Sequence, residues 1–566
     1  MNGAKALLTT LKNQGVKHIF GITGASVIPL FDEHYKDDHG IRYVHTVHEQ
    51  GAVHAAEGYA RASGKAGVCI STSGPGATNL VTGIMDAYMD STPIIAISGQ
   101  VSTNLLGCDA FQESNMVEIT KSITKANFQV KNSNEMESTI NKAFHLALNG
   151  RQGPIHIDIP RNFFNEEVTE PEIYSAPKIE HSINFEKIKK SAELLLNAEK
   201  PLILVGGGVL SSNASNEITE FATKFGIPVT TTLMGKTAFP ENHPLSLGIL
   251  GMHGRKSANY AIVHADVILA IGTRFNDRIT GNINSFLEHG KLIHVDIDTK
   301  EHGKNVKNEI EIHADAKVFL KELIKVSQSI VFNKETTWSE KIKELAKECN
   351  CNINIDSSPI DPKRIIYELN KVLGESDIVT TGVGQHQMFA AHFLKRTKPR
   401  TFISSGGAGT MGYGFPAAIG AKVACPDVEV FDVDGDGSFG MVVQELGTCK
   451  EENIKVTPII FNNSYYGMVR QWLELFYEKR YSAVKLSSVP DFVKLAEAYS
   501  LNGISVEKPS EIEPALKQAI KNDETTVINV KIAEESNITP MFGAGAHVSD
   551  MFGSCVPEGY FKKLLK

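Results

Sequence analysis

Two apolar runs in the last third of the chain end on paired polar punctuation, and their spacing constrains the fold more than any other feature. Val428 to Val433 runs into Gly435-Asp436-Gly437, and Pro458-Ile459-Ile460-Phe461 runs into Asn462-Asn463. Continuous apolar runs bounded by turn residues predict buried parallel strands. Asp436 and Asn463 then stand at strand ends on the same edge of one sheet, where open α/β sheets bind ligands. A carboxylate, an amide oxygen and glycines that let backbone approach closely suit Mg2+ carrying a diphosphate. An Asp-Gly turn and an Asn at a helix start are each common. The spacing and the strand context together carry the reading.

The same alternation of strand and helix signals continues in three blocks and predicts an α/β protein of three doubly wound parallel-sheet domains. The first block covers 1–170, with strands at Ile41 to Thr46, Ala66 to Ser71 and Pro93 to Ser98. Apolar periodicity lapses near Thr169 to His181. The second block, 185–330, has strands at Pro201 to Val205, Val267 to Ile271 and Leu292 to Ile297. Residues 331–362 read as a linker holding a charged helix, Glu340 to Glu348. The third block, 363–566, has strands at Asp377 to Thr380 and Thr401 to Ser404 besides the two apolar runs above.

Composition excludes several classes. A formal net charge of -8 gives nucleic-acid binding no electrostatic support. No apolar run approaches the roughly 20 residues that span a bilayer. Met1 to Gly15 reads as a helix without the basic flank and apolar core of a signal peptide, so a cytoplasmic location is expected. The 7 cysteines are scattered, as reduced thiols are in a large enzyme. Cys349-Asn350-Cys351 is the one close pair, and no second pair or nearby histidine completes a metal or redox site.

Other segments carry candidate chemistry. Glu49 follows a strand end in His48-Glu49-Gln50-Gly51, where a carboxylate can simply cap a helix over Ala52 to Ala62. Ala408 to Ala417 is a glycine-rich turn into a helix and contains Met411; most such methionines are core. Gly206-Gly207-Gly208 follows a strand and is compatible with close approach to a diphosphate, without the spaced Gly-x-Gly-x-x-Gly fingerprint. Arg274 and Arg278 can equally be surface charges, and Trp472, on a predicted helix, can be a core residue.

Taken together, Glu49, Glu57-Gly58-Tyr59-Ala60-Arg61, Ser71 to Asn79 and Gly435-Asp436-Gly437 with Asn462-Asn463 resemble the thiamin-diphosphate enzymes. Leu250 to Gly254, Gly272 to Gly281, His294 to Asp298, Gln444 to Thr448 and Tyr466 to Trp472 narrow the resemblance to the acetohydroxyacid synthase catalytic subunits, over essentially the whole chain. The resemblance implies pyrimidine-binding, central FAD-binding and diphosphate-binding domains, in that order. It implies that Glu49 drives a proton relay through the pyrimidine, that Gln100 is catalytic, and that Met411 wedges the cofactor into a V shape. Thiamin diphosphate is expected against Gly435, Asp436, Gly437, Ser438, Tyr465, Gly467 and Met468. Mg2+ is expected on Asp436, Asn463 and the Tyr465 carbonyl. FAD is expected on Arg151, Gly206, Gly207, Gly208, Thr232, Leu233, Met252, His253, Arg274, Asn276, Arg278, Asp296, Ile297 and Asp315. Trp472 and Val469 are expected beside the second substrate.

The implied reaction decarboxylates pyruvate and joins its two-carbon unit to a second pyruvate or to 2-oxobutanoate, the first common step toward valine, leucine and isoleucine. A homodimer or homotetramer is implied, with a possible small regulatory subunit and neither nucleic acid nor membrane as partner. A flavin-linked pyruvate oxidase, a flavin-free catabolic acetolactate synthase and a non-catalytic relative remain as alternatives. The chain departs from the family pattern at three places. The usual Pro-Gly-Gly-Ala is Thr23-Gly24-Ala25-Ser26, the usual Gln-Val-Pro is Gln100-Val101-Ser102, and a usual Lys is Arg161.

Overall fold

The computed structural model describes residues 1–177, 184–330, 337–347, 356–553, 555–556 and 560–563. Three six-stranded sheets organise them. The first holds β1 (His18–Gly21), β2 (Arg42–His45), β3 (Gly67–Ser71), β4 (Ile94–Gln100), β5 (Ala126–Gln129) and β6 (Ile155–Pro160), in the order β2-β1-β3-β4-β6-β5. The second holds β7 (Pro201–Val205), β8 (Val229–Thr231), β9 (Ser246–Ile249), β10 (Val267–Ile271), β11 (Lys291–Asp296) and β12 (Ile310–His313). Read from β9, its order is β9-β8-β7-β10-β11-β12, the 3-2-1-4-5-6 winding of dinucleotide-binding folds. The third holds β13 (Ile378–Thr381), β14 (Phe402–Ser404), β15 (Val430–Gly435), β16 (Thr457–Asn462), β17 (Asn502–Val506) and β18 (Thr526–Lys531), in the order β14-β13-β15-β16-β18-β17.

The pairings are parallel, as fully apolar strands with helical crossovers require. β15 lies directly beside β16 with Gly435 opposite Phe461. The apolar runs therefore form neighbouring strands, as their sequences imply. Every residue of β3, β4, β6, β7, β10 and β15 is buried. Helices cover both kinds of sheet face by presenting apolar stripes. Ile218, Phe221, Ala222 and Phe225 line one face of the helix Ser215–Phe225, for example.

Two compact units result. The first comprises Met1–Lys178, Asp377–Gln387 and Ile403–Glu534. Its helices Glu49–Ser63 and Gly414–Ala424 meet backbone to backbone. A Cβ on Gly58 would strike the Ala417 carbonyl, and one on Gly420 the Ala55 carbonyl. The second unit comprises Ile179–Ser376, Met388–Phe402 and Glu535–Lys566. There the segment after Glu535 lies against the 252–282 region: Phe542 N donates to Met252 O at 3.1 Å and Asn282 N to Ala546 O at 2.9 Å. The charged helix of the linker is Thr337–Lys347. Its Trp338 is buried and donates to the Pro201 carbonyl at 3.1 Å. Cys349 and Cys351 lie outside the described residues.

Candidate functional site

In the first unit, the carboxyl ends of β15 and β16 place two oxygen donors side by side. Asp436 opens the short helix Asp436–Phe439. Its Oδ2 accepts from Ser464 N at 2.6 Å and its Oδ1 from Gly437 N at 2.8 Å. The loop after β16 is thus tied to the carboxylate of β15. Asn463 Oδ1 accepts from Tyr465 N at 3.1 Å. Asp436 and Asn463 are 4% and 7% exposed, and burial pushes the Asp436 carboxyl up to about 6. An oxygen pair sequestered in this way, with two oxygen types that hard cations prefer, fits Mg2+. Two more carboxyls, Asp432 and Asp434, are fully buried on the same strand, and burial holds both above the usual range.

The glycines of this edge are sterically required. A Cβ on Gly435 would lie 2.6 Å from His386 Nδ1, and one on Gly437 2.8 Å from the Tyr466 ring. Ser438 Oγ accepts from Gly412 N at 3.0 Å and fastens the Met411 turn to the Asp436 turn. Met411 lies in the loop after β14 and is only half-buried, which separates it from a core methionine. Gly467 begins the helix Gly467–Phe476 that follows Asn463 and Tyr465. Met468 and Trp472 on it are half-buried, and Val469 is 51% exposed. Val469 and Trp472, three residues apart, share a face of that helix, and Trp472 packs on Phe476 with ring centroids 5.0 Å apart. Trp472 is therefore not a core residue.

At the edge of the first sheet, Glu49 is the first residue of the helix Glu49–Ser63. Its side chain does not serve as the cap. His48 does, accepting from Gln50 N at 3.1 Å. Glu49 Oε2 instead accepts from Asn79 Nδ2 at 2.9 Å, and a Cβ on Gly76 would approach its Oε1 to 3.1 Å. The carboxylate is thereby aimed by the loop that follows β3. The segment before it is held by Glu445, whose Oε2 and Oε1 accept from Val47 N at 3.2 Å and His48 N at 3.0 Å. Asn79 and Glu445 stand within the motifs Ser71 to Asn79 and Gln444 to Thr448, whose sequence alone assigns neither a role. Asn79 ends the turn Gly74-Pro75-Gly76-Ala77-Thr78, a helix-start signal that marks where such a side chain emerges.

The departures from the family pattern sit at this edge too. Ala25 is exposed, and Ser26 is buried. Ser26 Oγ meets Thr72 Oγ1 at 2.9 Å and accepts from Ser73 N at 2.9 Å, pinning the loop after β1 to the loop after β3. Gln100 ends β4 and is buried. Arg161 N donates to the Gln100 carbonyl at 3.1 Å.

In the second unit, the FAD candidates gather at one edge. Gly206 to Gly208 follow β7, Thr232 and Leu233 follow β8, and Met252 and His253 follow β9. Arg274, Asn276 and Arg278 follow β10, Asp296 and Ile297 end β11, and Asp315 follows β12. Because the strands are parallel, all of these lie at the carboxyl edge, around the switch point between β7 and β10. On these segments Thr231 Oγ1, Thr273 Oγ1, Asn276 Oδ1 and His253 Nε2 are buried without partners among the described residues. Such a set fits a polar dinucleotide. Some residues have other duties. Gly206 and Gly208 pack directly on Gly272. Asp315 caps the helix Ala316–Ser327, accepting from Lys317 N at 2.9 Å and Val318 N at 3.1 Å. Asp296 Oδ1 accepts from Asp298 N at 2.9 Å, and burial pushes its carboxyl up to about 6. Arg151 belongs to the first unit, where its Nε donates to Ser91 Oγ at 2.9 Å.

Comparison with known proteins finds three family models along the chain. Residues 1–119 match the thiamine pyrophosphate enzyme N-terminal TPP binding domain, 188–323 the central domain and 382–530 the C-terminal TPP binding domain. A probable acetolactate synthase large subunit of Methanocaldococcus jannaschii is 46% identical over 100% of this chain and 97% of its own length. The chain belongs to the acetolactate synthase family of thiamine pyrophosphate enzymes. The acetolactate synthase large subunit of Corynebacterium glutamicum is 44% identical over 97% of the chain and 90% of its own length. That of Buchnera aphidicola subsp. Schizaphis graminum is 42% identical over 98% of each. No helix among the described residues is long and apolar enough to cross a membrane.

Proposed function

We propose that the chain converts two pyruvates into 2-acetolactate and carbon dioxide, and pyruvate with 2-oxobutanoate into 2-aceto-2-hydroxybutanoate. The observation that carries this reading is the buried Asp436–Asn463 oxygen pair at adjacent strand ends, in a chain that matches acetolactate synthase large subunits along its length. Asp436, Asn463 and the Tyr465 carbonyl would hold Mg2+, with the diphosphate seated on the Gly435 to Ser438 turn. Gly467 and Met468 would line the same pocket, and Met411 would set the bend of the bound cofactor. Thiamin diphosphate, when bound, supplies the electron sink for decarboxylation. Glu49, aimed by Asn79, would hold the proton that switches the pyrimidine between its forms. Gln100, expected to be catalytic, would act in this set by holding the loop after β4, since its amide is taken up by Asp158, Ser114 and Val101. Val469 and Trp472 would form the apolar wall that meets the acceptor.

FAD would occupy the central sheet edge as a structural group. Two pyruvates and one proton balance 2-acetolactate and carbon dioxide, so no net electrons need an acceptor. The strand order of that sheet and the polar atoms of Thr231, Thr273, Asn276 and His253 unpartnered among the described residues support a dinucleotide there. A second copy of the chain, as a homodimer or homotetramer, would cover apolar side chains such as Met85, Tyr88 and Phe111, which are 45%, 39% and 85% exposed. A small regulatory subunit would be a further partner. Free thiols at Cys69, Cys108, Cys425, Cys449 and Cys555 fit the cytoplasm.

Product analysis tests the reading. With Mg2+, thiamin diphosphate and FAD, pyruvate alone should give 2-acetolactate, and added 2-oxobutanoate should divert product to the longer acid. Oxygen consumption with acetate as product would favour the oxidase instead.

A further inference from the structure

A second buried polar cluster lies along β4 and β6, apart from the Asp436 edge. Asp158 of β6 is fully buried and takes three neutral donors. Ser98 Oγ donates to its Oδ1 at 2.8 Å. Gln100 Nε2 and Gln129 Nε2 donate to its Oδ2 at 3.1 and 2.9 Å. Ser98 Oγ also meets His156 Nε2 at 2.9 Å. All of Ser98, His156 and Asp158 are 0% exposed, so the trio is no nucleophilic triad open to substrate.

What the cluster holds is the Gln100 amide. Besides Asp158, its Nε2 donates to the Ser114 carbonyl at 2.6 Å, while its Oε1 accepts from Val101 N at 2.9 Å. One side chain thus grips both ends of the loop from Val101 to Ser114. Both of its N–H groups face acceptors, which fixes the amide orientation. The loop in turn lies over the turn that aims Glu49. A Cβ on Gly74 would be 2.8 Å from Gln112 Cβ, and the turn begun at Gly74 ends at Asn79, the donor to Glu49.

We infer that Asp158 is a positioning residue: it anchors the Gln100 amide, and through it the loop 101–114 against the turn that carries Asn79. At 3.1 Å the Asp158 contact is longer than the 2.6 Å one to Ser114, but it occupies the second amide N–H and so fixes which way the amide faces. Only the effect on turnover rests on the proposed function; the effect on the loop does not.

Hydrogen–deuterium exchange on the full chain reads the loop directly. Asp158→Leu should speed exchange across 101–114 by about tenfold or more, as loss of a buried hydrogen bond implies. Asp158→Asn should stay near wild type. Its amide oxygen can accept both glutamine donors while its NH2 donates to Ser98 Oγ, which then donates to His156. Gln129→Leu removes a donor without touching the loop and should leave exchange unchanged. Gln100→Glu turns a donor into a second carboxylate and should loosen the loop; adding Asp158→Asn should restore part of the protection. That pair decides the matter should Asp158→Leu not fold. Loosening should appear in turnover chiefly as a raised KM for pyruvate. An Asp158→Asn variant as loose as Asp158→Leu, or a Gln100→Glu loop that Asp158→Asn does not tighten, would overturn the inference. A wild-type chain making no acetolactate would count against the proposed function and leave the exchange result standing.

Discussion

The first and third sheets share one strand order, β2-β1-β3-β4-β6-β5 and β14-β13-β15-β16-β18-β17, yet their carboxyl edges carry unlike chemistry. The third gathers oxygen ligands: Asp436 and Asn463, with Gly435 and Gly437 leaving no room for a side chain. The first offers Glu49, aimed by an amide from the next loop, while the buried acid of β6, Asp158, is taken up by glutamines. The same winding serves both because the strands supply only position, and the loops supply the groups. The central sheet is wound differently, with its switch point between β7 and β10, and the acid ending its β11, Asp296, accepts from the Asp298 backbone. Topology separates the central edge from the other two; only side chains separate those two from each other.

The largest effect should come from breaking the first sheet's side of this comparison. Glu49→Gln keeps the size and the Asn79 contact but removes the acid, and loss of acid–base assistance typically costs about 10²–10⁴-fold. Proton exchange at thiazolium C2 of the bound cofactor should slow with turnover. An unchanged exchange rate would remove Glu49 from the role.

Trp472→Ala sharpens the third sheet's side. Pyruvate and 2-oxobutanoate differ by one methylene, and an apolar wall discriminates a methylene by roughly 1–3 kcal/mol. With both acceptors supplied together, the product ratio should shift toward acetolactate. A core tryptophan would instead cost roughly 3–5 kcal/mol of stability on truncation, with the ratio unmoved. The half-buried setting of Trp472 favours the first outcome, and the buried Trp338 shows what the second kind of site looks like.

The smallest effect concerns a departure from the family pattern. Ser102 has φ −62 and ψ 149, the geometry of a proline, and its N–H has no hydrogen-bond partner among the described residues. Ser102→Pro should therefore be accepted and should stabilise by about 0.4–1 kcal/mol through the unfolded chain. A lowered melting temperature would mean that the loop after β4 needs the freedom a serine leaves.

How much of this was legible in the sequence follows from where each signal resides. Several buried strands were, because continuous runs such as Pro201 to Val205 and Val267 to Ile271 have no other stable setting, whereas Ile155–Pro160 and Thr526–Lys531, interrupted by polar residues, were not. Edge strands were legible only in part: Arg42–His45 and Phe402–Ser404 fall within expected runs, and others do not. Asn502–Val506 is polar and partly exposed, and Ile310–His313 alternates buried and exposed, so neither shows a continuous apolar run. The adjacency of Asp436 and Asn463 was readable because each directly follows its own strand. The Asn79–Glu49 contact was not, since it depends on how the β3 loop folds back over a helix start. The half-burial of Met411 and Trp472 was likewise invisible, as helical context alone favours a core position.

The division of labour between the two sheets is tested most directly by one calorimetric titration of thiamin diphosphate, with and without Mg2+, into Glu49→Gln and Asp436→Ala side by side. Asp436 is the only charged side chain proposed for the cation, so its loss should weaken Mg2+-dependent binding by more than about 100-fold, beyond what outer-shell changes cost. Glu49→Gln should bind within a few-fold of wild type. Equal weakening in both variants, or wild-type affinity in Asp436→Ala, would contradict the account.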